Sequence, residues 1–122
     1  MAKSIVVGVD DDPRVRQSIE SLVESAGYAP LVFSSAEEFL RSGTLAGAAC
    51  VIADVRMPGI DGIELQRRIR VERPQLPIIF ISAHYEDDVR QRAIGGGAMD
   101  VLNKPFDADD LLGAIGRALA EQ

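Results

Sequence analysis

The chain carries one cysteine, Cys50, and no apolar stretch of bilayer length. A lone thiol cannot form an internal disulfide, which fits a reducing compartment. Cys50 lies in the apolar run Ala48 to Ala53, where a small buried core residue is the expected role and a catalytic thiol is not. Near the N-terminus the only apolar run is Ile5 to Val9, too short for a signal-peptide core. These absences predict a cytoplasmic protein without membrane contact. Positive charge is also scarce: 13 Lys and Arg stand against 19 Asp and Glu, a net charge of −6. Such a balance repels nucleic-acid phosphates. No basic stripe offsets it, because Arg67, Arg68 and Arg70 share their stretch with Glu64 and Glu72. Repeats, linkers and low-complexity segments are missing too. The one biased spot, Gly95-Gly96-Gly97, reads as a flexible helix stop and turn.

What is present is a 122-residue chain with 47% hydrophobic residues, enough for one ordinary core and one domain over residues 1–122. Short apolar runs alternate with amphipathic patterns. Strands are expected at Ile5–Val9, Ala29–Phe33, Ala49–Ala53, Ile78–Ile81 and Met99–Leu102. The runs at 5–9 and 78–81 look buried on both faces, as parallel strands are. Asp12 with Pro13 predicts a helix start, and Val15, Ile19, Leu22, Val23 and Ala26 form its apolar stripe before Gly27 stops it. Ser35-Ala36-Glu37-Glu38 reads as a capping box ahead of Phe39 and Leu40. A third helix follows Asp61, packs Leu65 and Ile69, and stops before Pro74. A fourth spans about Glu86 to Ile94. A fifth starts at Asp107 and presents Leu111, Leu112, Ile115 and Leu119, although Gly113 and Gly116 each weaken it by about 1 kcal/mol. This strict alternation implies an α/β fold, a doubly wound five-stranded parallel sheet with helices on both faces.

In such sheets the functional crevice lies outside the carboxyl ends of the strands. The first strand leads into Asp10 and Asp11, the third into Asp54, the fourth into Ser82, and the fifth into Asn103, Lys104 and Pro105. Asp12 is accounted for as a helix cap. Two carboxylates 4 Å apart repel by about 4 kcal/mol at an effective dielectric of 20. Three of them at one mouth raise one another's pKa or require a cation. Mg²⁺ suits the set, because it takes oxygen ligands and commonly joins carboxylates to phosphate oxygens. Lys104 adds a point-charge phosphate binder, and Ser82 a donor and acceptor. A carboxylate nucleophile, a metal and a lysine are the parts of phosphoryl transfer. No histidine sits among the strand-end residues, and a carboxylate that attacks already ionised needs none.

Together Val9-Asp10-Asp11, Asp54 with Met57-Pro58-Gly59 and Asp61-Gly62, Ser82-Ala83, and Lys104-Pro105-Phe106 resemble a response-regulator receiver domain. Arg56, His84 and the run Pro77 to Ser82 look most like the receivers of FixJ-type transcription factors. The resemblance covers essentially the whole chain. It implies a flavodoxin-like, CheY-like sheet of strand order 2-1-3-4-5. It implies Asp54 as phosphoacceptor from a sensor histidine kinase. It further implies that Mg²⁺ or Mn²⁺ is held by Asp11, Asp10, Asp54 and the Arg56 backbone carbonyl. Lys104 pairs with the phosphoryl group in this family, Ser82 moves to hydrogen-bond it, and Arg56 and His84 tune its hydrolysis. The Lys104–Pro105 bond is often cis in the family. The usual output face is the fourth helix, fifth strand and fifth helix, through which a homodimer can form. Such a domain is no turnover enzyme and binds no nucleic acid itself; the chain could be a single-domain regulator or part of a DNA-binding protein.

Two features depart from the pattern. Val101 stands where the family carries Tyr or Phe, and a valine cannot make the inward ring rotation. The signal is then expected to travel mainly through the loop after Ser82. The Gly95–Gly97 run is also unusual and is expected to loosen the fourth helix. Three rival readings are weaker. A Mg²⁺-dependent phosphohydrolase lacks its second acid, because Asp54 is followed by Val55-Arg56, and it lacks a cap. A receiver that only docks partners does not need an intact acidic set. A flavin-binding domain needs a phosphate cradle where this first loop is acidic.

Overall fold

The computed structural model describes residues 2–83 and 87–120. The elements alternate along the chain: β1 (Ile5–Val9), α1 (Pro13–Ser25), β2 (Ala29–Phe33), α2 (Ala36–Arg41), β3 (Ala48–Asp54), α3 (Gly62–Glu72), β4 (Ile78–Ser82), α4 (Asp87–Gly95), β5 (Asp100–Asn103) and α5 (Ala108–Ala120). A short 3-10 turn, Thr44–Gly47, leads into β3 and was not anticipated. All strand pairings are parallel, and the order is β2-β1-β3-β4-β5, as expected. Among the described residues no helix is long and apolar enough to cross a membrane.

The sheet divides the core in two. Alternate strand residues Val6, Cys50, Ile52, Ile79 and Ile81 face α1 and α5, against Ile19, Val23, Leu111 and Ile115. Their neighbours Val7, Val51, Ile78, Phe80 and Val101 face α2, α3 and α4, against Phe39, Leu65, Ile69 and Val89. A central strand covered on both sides must be apolar throughout, which is why β3 and β4 read as unbroken runs. Cys50 belongs to this core, and burial pushes its thiol up to about 12, so it is inert.

Local chemistry sets the helix starts. The Asp12 carboxylate accepts the Arg14 N–H at 2.9 Å with Pro13 at the first helical position. Ser35 Oγ accepts the Glu38 N–H at 3.1 Å, but the box is only half built, because Glu38 Oε2 takes the Ser34 hydroxyl instead. Asp61 Oδ1 accepts the Glu64 N–H at 2.9 Å and opens α3.

The glycine run after α4 is held more firmly than its composition suggests. The buried Gln66 side chain donates to the Ala93 carbonyl at 2.9 Å. Arg70 donates to the Gly96 and Gly97 carbonyls at 3.2 and 2.9 Å, and to Leu76 O at 2.7 Å. Side chains of α3 thus reach the Ala93 carbonyl, which also accepts the Ala98 N–H, and the Gly96 and Gly97 carbonyls just beyond α4. Gly97 has φ +94, and a Cβ on Gly96 would fall inside the Gln66 amide. These contacts correct the expectation of a loosened helix: the run makes room for a tie to α3.

The glycines of α5 have no such reason. A Cβ on Gly116 would meet nothing within 4 Å, and one on Gly113 only the flexible Arg117 guanidinium at 3.6 Å. Gly113→Ala and Gly116→Ala are each expected to raise stability by about 1 kcal/mol. Urea denaturation midpoints measure this, and an unchanged or lower midpoint contradicts it.

Candidate functional site

The parallel sheet delivers its strand ends to one rim. β1 hands over Asp10 and Asp11, β3 ends on Asp54, and the turn after β5 supplies Lys104. Asp10 is 0% exposed and Asp54 6%, whereas Asp11 stands in solvent. One carboxylate oxygen from each of the three lies within 4.8 Å of the others. Lys104 Nζ stands 2.8 Å from Asp10 Oδ2 and 3.0 Å from Asp54 Oδ2. Only the Asp54 contact is aligned as a hydrogen bond; Asp10 Oδ2 is buried and accepts none among the described residues.

Backbone hydrogen bonds fix these groups. Asp10 Oδ1 accepts the Asp12 N–H at 2.8 Å, and Arg16 donates to the Asp10 carbonyl at 2.8 Å, which together hold the acidic turn. Arg56 N–H donates to Asp54 Oδ1 at 3.3 Å. Gly62 N–H donates to Val55 O at 2.8 Å and pulls the start of α3 against the end of β3. That approach needs glycine, since a Cβ there would overlap the Asp54 carbonyl oxygen and stand 2.9 Å from Val55 Cα and the Phe80 ring. The requirement was not foreseen, although the Asp61-Gly62 pair was part of the resemblance.

The electrostatics follow. Burial pushes the Asp54 carboxyl above its ordinary value and Asp10 adds to the rise, while the Lys104 hydrogen bond and charge pull it back. Burial acts to lower Lys104, but its contacts with Asp10 and Asp54 outweigh it and hold the ammonium above its usual value. One ammonium against three carboxylates leaves negative charge uncompensated. A hard divalent cation with oxygen ligands fits such a donor set.

A raised folded pKa means that ionised Asp54 opposes folding, and this cost is present above the folded value and absent below the ordinary 3.8. Asp54→Asn is therefore expected to raise the melting temperature in chelator at pH 7. The gain shrinks as pH falls toward 4. A lower melting temperature at pH 7 contradicts this.

Ser82 is buried and closes β4 instead of following it, in register with Asn103 of β5. Its carbonyl accepts the Lys104 N–H at 2.9 Å, so Ser82 and Lys104 share one backbone link. Val101 is buried in β5, paired with Phe80, on the side that faces α4. Arg56 lies exposed on the loop after β3. His84 lies outside the described residues, as does Glu86, the expected start of α4. The Lys104–Pro105 bond is cis.

The parallel sheet has the order β2-β1-β3-β4-β5 with an acidic rim at its strand ends, and sequence comparison gives the family. Residues 6–116 match the response regulator receiver domain, and the chain belongs to that family of two-component signalling proteins. It is 44% identical over 117 residues to the response regulator protein TmoT of Ectopseudomonas mendocina, covering 96% of this chain and 53% of that protein. It is 36% identical to the transcriptional regulatory protein FixJ of Bradyrhizobium diazoefficiens, over 98% of this chain and 58% of that one. The chain thus spans somewhat over half the length of these two relatives. The structure of the Vibrio cholerae chemotaxis protein CheY4 superposes with a TM-score of 0.89 at 28% identity, covering 97% of this chain and 100% of that one.

Proposed function

We propose that this receiver domain accepts a phosphoryl group on Asp54 from the phosphohistidine of a sensor histidine kinase and passes the change to an output partner. One observation carries the reading: Asp10, Asp11, Asp54 and Lys104 converge on one rim, with an oxygen of each carboxylate within 4.8 Å of the others. An Asp54 oxygen attacks phosphorus in line; the O–P bond forms as the P–N bond breaks, and the electron pair leaves on the imidazole nitrogen. Lys104, held as ammonium between Asp10 and Asp54, is placed to meet the oxygens of the incoming group. Asp11, Asp10, Asp54 and the Arg56 carbonyl would hold the divalent ion, Mg²⁺ or Mn²⁺, which when bound neutralises charge developing on the phosphoryl oxygens. Water attack on the same phosphorus returns the carboxylate, a step that Arg56 and His84 tune.

Phosphorylation adds about −1.5 to −2 charge at neutral pH. In this reading Lys104 turns from Asp54 toward the new oxygens and Ser82 hydrogen-bonds one of them. The backbone link from Lys104 N–H to Ser82 O couples the two movements. Val101 leaves no ring to rotate, so the loop after Ser82 carries the change to the face of α4, β5 and α5. Dimerisation through that face, control of transcription and residence in the bacterial cytoplasm complete the proposal. The domain acts as a switch and not as a turnover enzyme.

The test is intact-mass measurement after treatment with a small-molecule phosphodonor and Mg²⁺. The parent is expected to gain one phosphoryl group, and Asp54→Asn or addition of chelator to abolish the gain. An equal gain in Asp54→Asn overturns the assignment.

A further inference from the structure

Glu37, in the first turn of α2, has no part in the site described above, yet it reaches the loop that leaves Asp54. Its Oε2 accepts the Ile60 N–H at 3.4 Å, across 23 residues of sequence. The carboxylate also lies directly against Gly59: a Cβ there would collide with Oε2 and stand 3.2 Å from the carboxyl carbon. Gly59 has φ +76, so the loop is built around a residue that side chains disfavour twice over, by conformation and by space. The other oxygen, Oε1, is buried and accepts no hydrogen bond among the described residues. A carboxylate oxygen buried without a donor is costly and calls for a reason.

We infer that Glu37 is a positioning residue for the loop of residues 55–61, setting the Arg56 carbonyl in place for the divalent ion. The inference rests on the reading of the rim as a cation and phosphoryl site. The loop is fixed at its start by the Arg56 N–H bond to Asp54 and at its end by Gly62 N–H on Val55 O. Between those points, Met57 tucks into the core while Pro58 and Gly59 are exposed. Glu37 is a side chain from another element that fastens this stretch by hydrogen bond. Outer groups that orient metal ligands typically change affinity 10- to 100-fold when removed.

The experiment compares the parent, Glu37→Ala and Glu37→Gln by Mg²⁺ titration, melting in chelator, and the NMR shift and hydrogen exchange of the Ile60 amide without metal. The expected result is about tenfold weaker Mg²⁺ binding in Glu37→Ala. Exchange at Ile60 is faster, and the melting temperature in chelator stays within a few degrees. Glu37→Gln keeps an acceptor and is expected to restore most of both effects. Unchanged Mg²⁺ affinity in Glu37→Ala overturns the inference. So does an Ile60 amide that ignores the substitution. If the parent itself binds no Mg²⁺, the reading of the rim fails and the cation part of the inference falls with it. The Ile60 amide then decides separately whether Glu37 holds the loop.

Discussion

Lys104→Met is expected to lose about 3 kcal/mol of stability in chelator at pH 7, the lower end of the range for breaking a buried ion pair. The lower end applies because the lysine side chain is 17% exposed and solvent screens it in part. Asp10, with no exposure, and Asp54 would face each other without their shared cation. The pH dependence has a definite sign. Lys104 has a raised folded pKa, so its own contribution is complete below the ordinary 10.5 and is lost only as pH rises through the higher folded value. The slope on the acid side therefore comes from Asp54. In the variant the ionised form of Asp54, already disfavoured, becomes more so, and stability falls as pH rises through its folded pKa. Parent and variant are expected to converge as pH falls toward 4, where Asp54 takes up its proton. Mg²⁺ is expected to return part of the loss by mass action, about 2.7 kcal/mol at a hundred times the dissociation constant. Urea titrations at several pH values, with and without Mg²⁺, measure all of this. A variant as stable as the parent in chelator at pH 7 contradicts the role of Lys104.

Gly62→Ala is expected to cut the rate of phosphoryl acceptance about a hundredfold, the scale of a misplacement near 1 Å at a reacting group. The added methyl would overlap the Asp54 carbonyl oxygen, so backbone must yield, and the backbone that yields carries the proposed phosphoacceptor. Stability is expected to fall by about 1–3 kcal/mol, as for overpacking in general. The contrast with Gly116→Ala is informative, because both exchanges place one methyl at a helical glycine. One meets the end of β3 and the other meets nothing within 4 Å, so the signs are opposite. Timed intact-mass measurements with the phosphodonor, set beside urea denaturation, separate the two effects. A Gly62→Ala protein phosphorylated at the parent's rate contradicts the argument.

Much of this molecule was readable in its residues, and the reasons are local. Parallel strands buried on both faces must be unbroken apolar runs, so Ile5–Val9 and Ile78–Ile81 announced themselves. Caps are short-range chemistry, so Asp12, Ser35 and Asp61 marked their helices. Carboxylates at strand ends pointed to the rim because a parallel sheet gathers those ends together. Strand limits were less legible, because pairing decides them. Ser82 belongs to β4 through its register with Asn103, β3 extends through Ala48 and Asp54, and β5 begins one residue late. The longest reaches were invisible. Glu37 looked like part of a capping sequence, yet its carboxylate serves a loop 23 positions away. Arg70 read only as one charge in a mixed stretch and Gln66 carried no signal, yet they serve carbonyls 27, 26 and 27 positions away. No periodicity records which backbone carbonyl a side chain will meet.

The bonds from Gln66 and Arg70 give α4 unequal ends. The Ala93 carbonyl and the Gly96 and Gly97 carbonyls just past its end are pinned to a neighbouring helix through a buried amide and a guanidinium. Arg90 also ties the helix to β5 through the Val101 carbonyl at 3.4 Å, so the hold on α4 is concentrated toward the glycines without being confined to them. A sliding motion along its own axis would first have to break three hydrogen bonds.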